Sequence, residues 1–72
     1  MIELDLTGLN CPIPVLKTKK LLATMVSGQQ LRVITSDPAA KVDLQDFCRK
    51  SGNHLIEQYQ EQDLLITIIE RR

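Results

Sequence analysis

Ile2-Glu3-Leu4-Asp5-Leu6-Thr7-Gly8-Leu9-Asn10-Cys11-Pro12-Ile13-Pro14 is the stretch from which the fold is read. Ile2, Leu4 and Leu6 alternate with Glu3, Asp5 and Thr7, the period of a strand buried on one face. Gly8 breaks it. Two of the chain's three prolines then follow within four residues. Proline suits the first helical position, where an N–H has no partner to lose. The spacing predicts a helix from Pro12 to about Val26, with Cys11 at its cap. Val15, Thr18, Leu22, Met25 and Val26 form its apolar stripe, and Ser27-Gly28 stops it. A strand passing directly into a helix begins a β-α-β unit.

The rest of the chain continues that alternation. Leu31 to Thr35 is rich in β-branched residues and predicts a second strand. Asp37 and Pro38 are read as the cap and first position of a second helix running to about Lys50. Its core face carries Ala40, Leu44, Phe47 and Cys48. Leu55 to Gln60 and Leu64 to Ile69 predict two more strands, joined by a turn at Glu61-Gln62-Asp63. The predicted order is β-α-β-α-β-β, an α+β domain. Right-handed crossovers put both helices on one face of a four-stranded mixed sheet, a two-layer α/β sandwich. The second and fourth strands, apolar on both faces, belong in its middle. The uncovered face would then expose Ile34, Leu65 and Ile69, an apolar patch suited to a partner or dimer, unless the opposite register holds. Seventy-two residues make one domain, 1–72.

Composition excludes several functions. Nine basic and nine acidic residues cancel, so bulk charge does not capture nucleic acid. Phe47 and Tyr59 are the whole aromatic complement, too few for a base-stacking platform. There is no Gly-rich phosphate loop. Zinc takes about four ligands, and Cys11, Cys48 and His54 supply three without metal-type spacing. No metal and no cofactor are expected. No apolar run approaches a membrane span, and Met1 to Asp5 is no basic leader. The expectation is a cytoplasmic protein.

The chemistry-bearing residue is Cys11. A helix N-terminus is electropositive and stabilises a thiolate, the reactive form of cysteine, so a lowered pKa is expected. Pro12 and Pro14 would fix its direction, Asn10 would bond within the loop, and Ile13 offers partners an apolar contact. Lys17, Lys19 and Lys20 are a solvated helix face, or else a docking patch for an acidic partner or for RNA phosphate. Cys48 is read as core packing rather than a resolving thiol, and His54 as a turn or strand-edge residue.

Leu9-x-Cys11-Pro12-x-Pro14, the strand before it, the lysines of the first helix, Ser36-Asp37-Pro38-Ala39, Phe47-Cys48 and Gly52-x-His54 together resemble the TusA-like (SirA-like) sulfur carriers of bacteria. The resemblance spans essentially the whole chain. It implies a sandwich similar to the C-terminal domain of translation initiation factor three. It implies that Cys11 accepts sulfur as a persulfide from a cysteine desulfurase or rhodanese-type sulfurtransferase and passes it to a downstream acceptor. Family members serve tRNA thiolation, cofactor synthesis, or sulfur and selenium metabolism, and some accompany sulfur-compound transporters. Ile13 departs from the family member serving tRNA thiolation, which has an acidic residue there. A carrier of this kind has no independent turnover and works as a monomer or weak homodimer, with no stable nucleic-acid binding. The alternatives are a nucleic-acid-binding or regulatory module on the same fold, and a thiol redox protein using Cys11 and Cys48.

Overall fold

The computed structural model describes residues 1–72. Its elements are β1 (Ile2–Leu6), α1 (Ile13–Leu22), β2 (Gln30–Thr35), α2 (Ala40–Ser51), β3 (His54–Glu61) and β4 (Leu64–Glu70). The sheet order is β1-β2-β4-β3. β1 and β2 are parallel, as a helical crossover requires, and β4 runs antiparallel to both β2 and β3. The strands predicted to be central, β2 and β4, are central.

The register decides which residues meet the helices. Leu4 pairs with Val33 and Leu6 with Thr35; Leu31 pairs with Ile69 and Thr35 with Leu65. Side chains alternate along a strand, so Leu6, Leu31, Val33, Leu65 and Ile69 share one face. They form the core with Leu22, Ala40, Leu44 and Cys48 from the helices. This corrects the expectation for the uncovered face: Leu65 and Ile69 are buried under the helices, Ile69 completely. Ile34, Ile66 and Ile68 take the opposite face. Ile66 and Ile68 are nonetheless only 2% and 7% exposed. Their cross-strand neighbours are Ile34, Arg32, Tyr59 and Glu57, and long side chains of this kind cover apolar surface with their stems. Arg32 is ion-paired with Glu3 at 2.7 Å.

The first helix is shorter than its apolar pattern. It ends at Leu22 because the chain tightens: the Thr24 and Met25 N–H groups donate to Leu21 O and Leu22 O, both at 3.0 Å. Thr24 Oγ1 also donates to Leu21 O, and Arg71 Nε to Leu22 O. Met25 still reaches the core from beyond the helix, whereas Val26 turns outward and is 64% exposed. Pro38 lies in the turn before α2 rather than at its first position. Gly52 ends α2 at φ +83°, donating its N–H to Cys48 O, a left-handed conformation that favours glycine. No helix is long and apolar enough to cross a membrane.

Candidate functional site

Cys11 is exposed, at the end of the loop that carries the chain from β1 into α1. It lies one residue before the helix cap, which is Pro12, and the Cys11–Pro12 peptide is cis. Gly8 opens the loop at φ +86°, with nothing within 4 Å of where a Cβ would stand. Leu9 donates back to Leu6 O at 3.1 Å, and Ile13 to Asn10 O at 2.9 Å. Asn10 thus works through its main-chain carbonyl. Pro14 is buried at the start of α1, while Ile13 remains 39% exposed and does not line the groove that opens beside Cys11.

The loop is also held from across the sheet. Ser36 Oγ accepts the Gly8 N–H at 2.8 Å, and Asp37 Oδ2 accepts the Cys11 N–H at 2.7 Å. The other oxygen of Asp37 accepts the Ala39 N–H at 3.2 Å. Asp37 is therefore only partly the helix cap its position suggested: α2 begins after Ala39 with no side-chain cap bond.

Beside Cys11, α1 and α2 enclose a groove of about 620 Å³. Pro12, Val15, Leu16 and Phe47 form its apolar lining; Lys19, Asp43, Asp46 and Lys50 are its charged groups. Of the three lysines singled out in the sequence, Lys17, Lys19 and Lys20, all are exposed and only Lys19 lines this groove. Lys50 joins it from α2. Asp37, Asp43 and Lys50 were not read as neighbours of Cys11. The β2–α2 turn brings the first, and successive turns of α2 the other two, and no spacing local to Cys11 signals it.

The electrostatics correct a second expectation. The Cys11 thiol is raised above its ordinary value rather than lowered. Hydrogen bonding with the Asp43 carboxylate is the largest cause, then burial, then the negative charges of Asp43 and Asp37. The helix tip has little to set against them. Pro12 and Pro14 have no N–H, the Ile13 N–H is spent on Asn10 O, and Cys11's own N–H is spent on Asp37. A helix terminus stabilises an anion through its free N–H groups, and here the motif leaves the first turn only that of Val15.

Cys48 stands apart from this chemistry. It is buried in the core, and burial pushes its thiol up to about 11. Both cysteines are free. A buried thiol held protonated is a poor nucleophile, which argues against the redox pairing with Cys11.

Comparison with known proteins places this architecture. Residues 2–71 match the family model described as Sulfurtransferase TusA. The chain is 49% identical over 59 residues to the sulfur carrier protein TusA of Allochromatium vinosum, covering 82% of this chain and 78% of that one. It is 44% identical over 62 residues to a putative sulfur carrier protein of Bacillus subtilis, covering 86% and 83%. Its fold superposes on a SirA-like protein from Desulfitobacterium hafniense with a TM-score of 0.85, at 28% identity and over 97% and 96% of the two chains. The chain belongs to the TusA family.

Proposed function

We infer that the protein is a sulfur carrier working in a relay, with Cys11 as the residue that holds the sulfur. The observation that carries this reading is an exposed thiol at a loop end, opening on an interhelical groove whose lining contains no histidine and no second thiol. Sulfane transfer needs neither. The Cys11 thiol gives its proton to solvent, and the thiolate attacks the outer sulfur of a donor persulfide. The donor's sulfur–sulfur bond breaks and the donor thiolate leaves, so Cys11 ends as the persulfide with no net oxidant or reductant. In delivery an acceptor nucleophile attacks that outer sulfur and the Cys11 thiolate departs.

The donor is a cysteine desulfurase or rhodanese-type protein and the acceptor a downstream enzyme of thiolation or cofactor synthesis. A sulfur-compound transporter is the further partner that the family suggests. Turnover belongs to those partners. The setting is the cytoplasm, where a reducing poise keeps Cys11 free. Incubation with a persulfide donor should add about 32 Da to Cys11, the one-atom step from thiol to persulfide. Cys11→Ser should abolish the adduct and keep the fold. An adduct formed equally on Cys48 would overturn the assignment.

A further inference from the structure

The loop that bears Cys11 has no secondary structure of its own, yet two of its N–H groups are held by side chains far along the chain. Gly8 donates to Ser36 Oγ at 2.8 Å and Cys11 to Asp37 Oδ2 at 2.7 Å. These acceptors are neighbours between β2 and α2. Asp37 is itself fixed to the head of α2: its Oδ1 takes the Ala39 N–H at 3.2 Å and its main-chain oxygen the Ala40 N–H at 3.0 Å. A carboxylate can accept both N–H groups because it has two acceptor oxygens and no donor. An asparagine would turn an NH₂ toward one of them.

We propose that Ser36 and Asp37 form a latch that positions Cys11 for sulfur transfer, Asp37 being a positioning residue that acts through the Cys11 main chain. The proposal rests on the carrier reading. The sulfur lies three bonds from the latched nitrogen, so with the main chain held, only rotation about χ1 moves it. A carrier must present one sulfur to two different partners. A loop ordered beforehand avoids repeating the entropic cost of ordering at each encounter. The arrangement has a chemical cost: the Asp37 charge raises the thiol it positions. Retaining a negative group there fits placement of the sulfur, not activation of the thiol.

The test compares two reactions of one thiol. Single-turnover transfer from a persulfide-loaded cysteine desulfurase, at saturating donor, should slow about tenfold in Asp37→Asn, short of the roughly hundredfold that a misplacement of about 1 Å can cost. Alkylation of Cys11 by iodoacetamide, which needs no docked geometry, should hold or quicken because a nearby negative charge is gone. Ser36→Ala should show the same split, smaller. Transfer at the wild-type rate, or both reactions falling together, would overturn the latch. In case the variants fail to fold, the wild-type protein supplies a second measurement. A through-hydrogen-bond NMR coupling should join the Cys11 amide nitrogen to the Asp37 carboxyl carbon, and its absence would overturn the proposal. Failure of wild-type Cys11 to take sulfur from any donor would sink the carrier reading and the proposal with it. A coupling still seen in that case would show that the function, not the hydrogen bond, was misread.

Discussion

Asp43 sets how readily Cys11 ionises. Its carboxylate, lining the same groove as the thiol, is the largest cause of the upward shift. With the folded pKa above the ordinary thiol value, the thiolate is a smaller fraction at neutral pH than in a free cysteine, and its reactivity climbs only at more alkaline pH. Asp43→Asn should therefore raise the alkylation rate of Cys11 severalfold at neutral pH and move its pH profile toward lower pH. An unchanged profile would remove Asp43 from the account. Cys48 gives a stability counterpart. Its thiol is raised from an ordinary value of 9.0 to about 11 in the folded state. Below pH 9 the thiol is protonated in both states and its contribution is intact. As pH rises from about 9 toward 11 the unfolded chain loses that proton first and the contribution is lost. Denaturant titrations should show Cys48→Ala flattening part of the alkaline fall in stability.

Among the elements, α1 shows how far the sequence could be read and where it could not. The β-α-β-α-β-β order, the central placement of β2 and β4, and the prominence of Cys11 follow from alternation, turn residues and the two prolines. The end of α1 does not. Met25 and Val26 continue the apolar stripe, but the carbonyls that stop the helix are captured by Thr24 and by Arg71 from the far end of the chain. The partners of Cys11 were hidden for the same reason: Asp37 and Asp43 reach it through tertiary packing, and local spacing carries no record of that. α1 also contains a polar group the fold does not use. Thr18 is fully buried and its Oγ1 has no hydrogen-bond partner. Thr18→Val keeps the side-chain shape and removes the stranded hydroxyl. It should stabilise the fold by about 1 kcal/mol, a rise in Tm of roughly 4–8 °C for a domain of this size. A lower Tm on calorimetry would mean that the hydroxyl has a partner after all, such as an ordered water.

Across the whole molecule, a net charge of zero conceals local order in the charges. Lys19 from α1 and Lys50 from α2 both line the Cys11 groove, with Asp43 and Asp46 of α2, whereas Lys17 and Lys20 lie outside it. An acidic partner that approaches Cys11 along the groove meets the first pair and not the second. Lys19→Glu with Lys50→Glu should weaken transfer from the donor, and Lys17→Glu with Lys20→Glu should have much less effect. The loss should shrink at high salt, since exposed charges are screened over roughly 8–10 Å near physiological ionic strength. Lys50 is paired with Asp46 at 2.9 Å on the same helix, so reversing it places like charges one turn apart and costs a few tenths of a kcal/mol of helix stability, about 0.2–0.5 kcal/mol. That cost is too small to unfold the domain, and a Lys50→Gln control removes the repulsion while keeping the loss of positive charge. Equal effects from the two lysine pairs would make the lysines a diffuse field rather than a docking site. A salt-independent loss would point to disturbed packing around Phe47, where the groove and the core meet.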